Sequence, residues 1–277
     1  MAALNDVLDS LTVPAATNPE ISQPCEFLPW DSDFFNLRIA RARPGRLDPQ
    51  AATEVETWCQ VQQIDCVYLL VEAGDGPTIR LAERRGFQQV DIRLTLSRRL
   101  DELVQLKPRK EINVRPCRAE DVSALRAIAG ASHSDTRFYF DPNFDRAACE
   151  RLYQTWIEKS CHGYASQVLV ACLGDQVAGY FSCDRLDAER GQIGLVGVAA
   201  AARGQQVGSA LLEAGLGWFW EQGLRQVSVV TQGRNVPAQR LYQRQGFLTE
   251  RVELWYHRWF HRPAPRQRQI DNLPHSL

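Results

Sequence analysis

The sequence lacks any apolar run that approaches the roughly 20 residues a membrane-spanning helix requires. It also lacks an excess of either charge, because 32 Lys and Arg residues stand against 33 Asp and Glu residues. We therefore expect no broad basic surface for nucleic acid or anionic lipid. The N-terminus carries acidic residues where a secretory signal carries Lys or Arg, so the sequence predicts a cytoplasmic protein.

Spacings typical of metal sites are missing as well. None of the eight cysteines forms a CxxC pair, and none lies at zinc-finger spacing from a histidine. Several cysteines lie inside apolar runs, such as Cys172 and Cys183, where a free thiol behaves as a small buried hydrophobic group. We expect reduced structural cysteines and no metal, with a nucleophilic cysteine as the alternative.

The chain has 277 residues, 44% of them hydrophobic, which is enough for one large domain or two small ones. The ends, residues 1–20 and 261–277, bury too little apolar surface to offset their ordering entropy, and we predict a flexible lead-in and tail. The polar segment 101–110 is predicted to be a linker. It separates an N-terminal half, 21–100, from a larger domain, 111–260.

An internal repeat relates the two parts. The segments RLAERRGF (80–87) and RLYQRQGF (240–247) match at five of eight positions, with an offset of 160 residues. Each copy predicts a helix that ends at a glycine and is followed by a strand. A chance match, or a common helix–Gly–strand unit, is the alternative. If the repeat is real, the chemistry should lie in the copy that has the special residues.

The larger part predicts a mixture of strands and helices. They are a strand at 112–115, helices at about 119–131 and 145–160, a hairpin around Gly174-Asp175, a strand in QIGLVGVAA, a helix with Val207, Leu211, Ala214 and Trp218 on its inner face, a strand in RQVSVVT, a helix between Asn235 and Gly246, and a last strand with Leu254 and Tyr256. This order predicts an α/β or α+β fold with a mixed sheet flanked by helices.

The segment RGQQVGS connects a predicted strand to a predicted helix. Small residues let the backbone approach a ligand closely, and the first N–H groups of a helix have no intrahelical partners. With the helix dipole, these groups favour a pyrophosphate. The candidate ligand-binding residues are Arg203, Gly204, Gln205, Gln206, Val207, Gly208 and Ser209. The patterns GxxxxGK[ST] and GxGxxG are absent, and a plain connection is the alternative.

A second candidate is Tyr242, which lies seven residues after Asn235 in the next strand–helix unit. Its counterpart in the first copy is Ala82. A tyrosine at this position can simply pack its ring into the core. Beside an anion site, however, a phenol can also act as an acid at the reactive end of the ligand.

These pieces, LVGVAAAARGQQVGSALL and NVPAQRLYQRQGF, resemble the GNAT superfamily of acetyl-CoA-dependent N-acetyltransferases. The loop pattern of that superfamily is Arg or Gln, two variable residues, Gly, one variable residue, then Gly or Ala. Arg203 and Gly208 fit this pattern, whereas Gln206 stands in place of the inner glycine. The resemblance implies a GNAT fold with acetyl-CoA as co-substrate. It also implies that backbone groups of Val196, Gly197 and Val198 bind the pantetheine and thioester, that Asn235 contacts the coenzyme and that Tyr242 is the general acid.

Two further segments, CEFLPWDSDFFNLRIARA and TRFYFDPNF, resemble the bacterial TDP-fucosamine acetyltransferase family. That resemblance implies a partial GNAT-like N-terminal half, a complete C-terminal domain and a nucleotide-activated deoxyamino sugar as acceptor. Arg137 and Phe138 are the candidates for gripping a diphosphate and stacking on a base or sugar. A helix–loop boundary with buried aromatic residues is the alternative.

The amine must attack the thioester in its neutral form, which requires a base or a water chain. Candidate bases are Asp184, Asp187, Glu189, His162 and His257, each of which can also be read as a solvated surface group. Acetylation of a protein N-terminus or a small polyamine is an alternative function, and a CoA-binding regulatory module without turnover is another. The sequence leaves open whether the chain forms a homodimer.

Overall fold

A computed structural model of the chain describes residues 23–43, 46–103, 109 and 111–261, so the predicted lead-in and most of the tail and linker lie outside the described residues. The N-terminal half contains strands β1 (Cys25–Phe27), β2 (Ile39–Ala42), β3 (Cys66–Glu72) and β4 (Gln88–Arg99), and helices α1 (Pro29–Phe35), α2 (Pro49–Val61) and α3 (Gly76–Arg84). In the described residues, no helix has the length and apolar character needed to cross a bilayer.

The C-terminal part contains the predicted elements in the predicted order. Its strands are β5 (Ile112–Pro116), β6 (Gln167–Leu173), β7 (Gln176–Arg185), β8 (Arg190–Val198), β9 (Gln226–Gln232) and β10 (Leu248–Trp259). Its helices are α4 (Val122–Ser132), α5 (Arg137–Phe140), α6 (Arg146–Lys159), α7 (Val207–Glu221) and α8 (Val236–Arg244). The predicted turns use glycine where the backbone needs a positive φ, which is +56° at Gly174 and +76° at Gly246.

The internal repeat is visible in three consecutive elements. The units β3–α3–β4 and β9–α8–β10 have the same bounds when one is displaced by 160 residues. In both units the helix begins at an Asx side chain, because Asp75 accepts the N–H of Thr78 and Asn235 accepts that of Ala238. The two parts therefore share one supersecondary plan.

The last strand of each unit is exchanged. The strands run in the order β1-β2-β3-β10-β4-β9-β8-β7-β6-β5, so β10 pairs with β3 and β4 pairs with β9. At the centre, β4 and β10 pair antiparallel with Arg93 opposite Glu253, two residues that are equivalent in the repeat. Their buried side chains form an ion pair. A local two-fold axis thus passes between Arg93 and Glu253.

Helices cover both faces of this sheet, which gives three layers. One face packs α1, α4 and α6 in a cluster that contains Tyr180 and Trp255. The opposite face packs α7 and α8 in one cluster and α2 and α3 in another. On helix α7, Val207 and Leu211 are buried as predicted, whereas Ala214 and Trp218 are half-buried. Leu212, Leu216 and Phe219 are buried instead, so the inner face is wider than predicted.

Candidate active site

The strands β8 and β9 separate partway along their length. Their parallel pairing runs from Arg190/Gln226 to Ile193/Val229 and then stops, although β8 continues to Val198 and β9 to Gln232. The β7–β8 register also shifts at this point, where the backbone N–H of Leu195 donates to Ser182 Oγ at 2.7 Å. A bulge of this kind re-aims backbone groups. The result is an opening between the strands with the backbone of residues 194–198 along one edge.

The predicted pantetheine-binding residues lie on this edge. Gly197 is packed so closely that a Cβ atom there would come within 2.5 Å of the Tyr180 ring. The Tyr180 hydroxyl is in turn hydrogen-bonded to His133 Nε2 at 2.8 Å. A fixed aromatic side chain thus supports the backbone of Val196, Gly197 and Val198 from behind.

The predicted anion loop ends at the start of α7. Gly204 has a φ of +78° and Gln206 a φ of +64°, so both take the left-handed conformation. Gln206 occupies the position at which the superfamily pattern has glycine, and its backbone shows why glycine suits that position. The N–H groups of Val207, Gly208 and Ser209 belong to the first turn of α7 and face no intrahelical acceptor. Arg203 is exposed beside them.

The loop and the helix that carries the tyrosine are brought together. A Cβ atom at Gly208 would lie 3.4 Å from the Leu241 side chain and 3.8 Å from that of Val198, so the first turn of α7, the helix α8 and the end of β8 converge. Tyr242, next to Leu241, packs 5.7 Å from Phe247 between ring centroids. Burial raises the pKa of the Tyr242 hydroxyl, which keeps it protonated at neutral pH.

A cleft lies on the opposite face of the sheet, with about 50 Å³ of space available to the centres of water molecules. Its walls come from β4, β9, β10, α5 and α6. Residues 230–232 of β9, which no longer pair with β8, form one wall. The opening between β8 and β9 therefore borders the cleft.

Two buried arginines line this cleft, Arg93, which is paired with Glu253, and Arg137. The Arg137 guanidinium lies 4.1 Å from the Tyr68 ring centroid and 4.2 Å from that of Trp255. Its Nη1 donates to His257 Nε2 at 3.3 Å, and His257 Nδ1 lies 2.7 Å from Asp141 Oδ2. Burial lowers the pKa of His257 to about 4, so its imidazole ring is uncharged at neutral pH. Within the described part of the chain, no carboxylate oxygen lies within 4.0 Å of the Arg137 guanidinium.

The aromatic residues near Arg137 differ from the prediction. Phe138 is buried against Phe35, Phe144 and Tyr68, so it offers little surface for stacking on a ligand. Phe140 is 57% exposed, and the Arg234 guanidinium lies 4.1 Å from its ring centroid. The exposed aromatic residue at this end is therefore Phe140, two positions after the predicted Phe138.

Burial separates the five candidate bases. His162, Asp187 and Glu189 are exposed, as the solvated interpretation predicts. For His257 that interpretation is wrong, because strand exchange buries the ring between Asp141 and Arg137. Asp184 is half-buried, and burial raises its pKa to about 7. Its Oδ2 would lie 2.7 Å from a Cβ atom at Gly194, beside the bulge of β8.

Sequence reasoning missed the contribution of the N-terminal half to the cleft. Asp91 on β4 lines it, and Arg234 Nη2 lies 3.6 Å from Asp91 Oδ1. Burial raises the pKa of Asp91 to about 6. No local pattern around Asp91 signals this position, because it depends on strand exchange. Among the described residues, no group of three or more His, Cys, Asp or Glu side chains is placed to hold a metal ion.

The sequence of this chain is similar to those of known proteins. Residues 131–247 match the model of the Acetyltransferase (GNAT) family. The chain is 26% identical to a dTDP-fucosamine acetyltransferase of Escherichia coli O6:H1 over 84% of this chain and 97% of that protein. It is 31% identical to the spore coat polysaccharide biosynthesis protein SpsD of Bacillus subtilis, over 50% of this chain and 48% of that protein.

The fold is also that of solved structures. A GCN5-related N-acetyltransferase from Sphaerobacter thermophilus aligns with a TM-score of 0.63 and 18% identity, covering 94% of this chain and 86% of that one. This likeness shows the GNAT fold, with its mixed sheet flanked by helices. Residues 131–247 therefore form an acetyltransferase domain of the GNAT family.

Proposed function

We propose that this chain transfers the acetyl group of acetyl-CoA to a primary amine, specifically the amino group of a nucleotide-activated deoxyamino sugar. The observation that carries the proposal is the opening between β8 and β9. The start of α7 and the helix that carries Tyr242 meet on one side of it, and a cleft with a buried arginine borders the other. The name of the E. coli relative supports the sugar acceptor.

The coenzyme fits the first side by the chemistry of its groups. A pyrophosphate suits the N–H groups of residues 204–209 and the charge of Arg203. The pantetheine carries amides, which suit the backbone groups of Val196–Val198 that point away from β7 into the opening. A backbone N–H on this edge that receives the developing oxyanion is worth about 3 kcal/mol. Asn235, which caps α8, borders the coenzyme at the start of that helix.

Tyr242 acts as the general acid. The amine nitrogen forms a bond to the thioester carbon while the carbon–sulfur bond breaks, and the leaving thiolate takes the proton of the Tyr242 hydroxyl. The amine nitrogen gives up one proton, and Asp184 is the best placed of the candidate bases to receive it through water. A well-placed acid contributes about 100-fold or more to the rate.

The acceptor occupies the cleft, with its diphosphate at Arg137. In the described residues the Arg137 guanidinium has no carboxylate oxygen within 4.0 Å, and a buried cation attracts an anion more strongly than an exposed one because the surrounding dielectric is low. Phe138 lines the same cleft. The exposed Phe140 ring, together with Arg234, is the surface on which the nucleobase stacks. A polyamine or a peptide N-terminus gains nothing from Arg137.

A panel of amines tests this proposal, with release of the CoA thiol as the readout. The panel contains a dTDP-amino sugar, the same sugar as its 1-phosphate, spermidine and a peptide with a free N-terminus. We expect the highest kcat/KM for the dTDP-amino sugar, and a selective loss of that preference in Arg137→Met. Equal rates with spermidine, or an Arg137→Met variant with unaltered preference, would contradict the assignment of the acceptor.

A further inference from the structure

Gln206 is held in a conformation that its side chain does not favour. Its φ of +64° and ψ of 10° place it in the left-handed region, directly before the first turn of α7. An L-residue with a Cβ atom pays a steric penalty there that glycine avoids. The structure must therefore contain contacts that keep Gln206 in this conformation.

Such a contact comes from the segment between the two halves. Arg109 Nε donates to Gln206 Oε1 at 3.2 Å. The same guanidinium donates to both carboxylate oxygens of Glu213, with Nη1 to Oε2 at 2.8 Å and Nη2 to Oε1 at 3.0 Å. One side chain thus connects the residue before α7 with a residue about two turns into the helix.

The anchor of this contact is rigid. Glu213 is 2% exposed, and its Oε1 also accepts a hydrogen bond from Gln245 Nε2 at 3.2 Å, at the end of α8. A bidentate pair between an arginine and a carboxylate fixes the plane and the direction of the guanidinium. The Nε–H of Arg109 is therefore presented to Gln206 in a fixed direction.

We propose that Arg109 is a positioning residue for the coenzyme loop. By holding the Gln206 side chain, it keeps the Gln206 backbone left-handed and so aims the N–H groups that follow toward the pyrophosphate. The chain thereby replaces the glycine of the superfamily pattern with a glutamine fixed from outside the loop. This inference rests on the proposed function, since it takes the loop to bind acetyl-CoA.

Two substitutions at one position test the inference without disturbing the buried ion pair. Gln206→Leu keeps a side chain but removes the acceptor, whereas Gln206→Gly removes the need for it. We expect calorimetry to show about fivefold weaker CoA binding for Gln206→Leu, and binding at least as tight as that of the wild type for Gln206→Gly.

A double-mutant cycle completes the test. Arg109→Ala should raise the Kd for CoA, and the KM for acetyl-CoA more than it lowers kcat, when Gln206 is present. In the Gln206→Gly background the same change should alter the Kd by less than about twofold. Arg99→Ala, which removes an exposed arginine at the end of β4, is the control and should have no effect.

The outcomes separate this inference from the proposed function. A wild-type chain that does not bind CoA would overturn both. A wild-type chain that binds CoA, with Gln206→Leu unchanged or with an equal effect of Arg109→Ala in both backgrounds, would overturn the role of Arg109 alone. Thermal unfolding of each variant shows whether a change in Kd reflects loss of folded protein.

Discussion

The two copies of the repeat have the same backbone plan, but they differ at the N-terminus of the helix that precedes each unit, α7 in the C-terminal copy and α2 in the N-terminal copy. In the C-terminal copy, the start of α7 is Gly208 and its neighbours, with no acidic side chain in the first turn. In the N-terminal copy, the equivalent of Gly208 is Asp48, whose carboxylate accepts the N–H of Ala51 at 2.8 Å. One copy thus leaves open the helix N-terminus at which we propose that the pyrophosphate binds, whereas the other covers it with its own anion.

A second contact closes the first copy further. Leu47, the equivalent of Val207, is buried, and its N–H donates to Thr78 Oγ1 at 3.0 Å. The equivalent of Tyr242 is Ala82, which carries no acid. The N-terminal copy thus satisfies internally the backbone N–H groups whose counterparts in the C-terminal copy we propose to bind a coenzyme. It retains one functional contribution, the exchanged strand β4.

The largest effect is expected where the copies meet. Glu253→Gln leaves the buried Arg93 cation without its carboxylate, so we expect the free energy of unfolding to fall by about 3–5 kcal/mol in urea titrations. Glu250→Gln, on the exposed part of the same strand, should change it by less than about 0.5 kcal/mol. If both variants unfold alike, the pair at the local axis does not hold the copies together.

Placing at Gly208 the aspartate that the N-terminal copy has at Asp48 should weaken coenzyme binding strongly. Gly208→Asp adds a carboxylate where we propose the pyrophosphate binds, and like charges at contact cost about 3–4 kcal/mol, or several hundredfold in the Kd for acetyl-CoA. Gly208→Ala is the matched control, because a Cβ atom there makes ordinary contacts of 3.4 Å or more. Loss of binding in both variants would attribute the effect to size rather than charge.

Replacing the special tyrosine sharpens the comparison at the chemical step. Tyr242→Phe keeps the buried ring but removes the acid, so kcat should fall about 100-fold while the KM for acetyl-CoA stays similar. Thiol release measured between pH 6 and 9 provides the check. Unchanged turnover over that range would remove Tyr242 from the chemistry and leave it as a packing residue.

The smallest effect concerns Asp91, whose equivalent in the repeat is the exposed Arg251. Because burial raises the pKa of Asp91 to about 6, the folded state holds its proton to higher pH than the unfolded state does. Stability should therefore fall as pH rises from about 4 to 6, by on the order of 1–3 kcal/mol, and then level off. Asp91→Asn should flatten this part of the pH profile in denaturant titrations. An unaltered profile would show that Asp91 ionises normally.

Local signals predicted most of the elements. The glycines at 86 and 246, with φ of +81° and +76°, end their helices as the repeated RGF and QGF segments predict. The hairpin at Gly174 and the strand–loop–helix around residues 190–221 were also predicted, because turn residues and periodicity act over a few positions. The division into domains at residues 101–110 stays a prediction, since strands of both parts form one sheet.

The cleft could not be predicted in the same way. Asp91 and Trp255 face each other as strand partners although 164 positions separate them, and His257 is buried for the same reason. Neither the sequence around Asp91 nor that around His257 distinguishes a cleft residue from a solvated one. The mistaken interpretation of His257 follows from treating a polar residue in an amphipathic strand as exposed.

By itself, the sequence determined the repeat, the helix ends, the anion loop and the tyrosine that one copy has and the other lacks. These features depend on backbone preferences and side-chain spacing within short segments. Only the tertiary structure decided that β4 and β10 change places, that Arg137 and Asp91 share a cleft, and that Arg109 reaches Gln206. Strand partners and ion pairs across such distances in the chain depend on which surfaces bury each other best, and no local pattern records that choice.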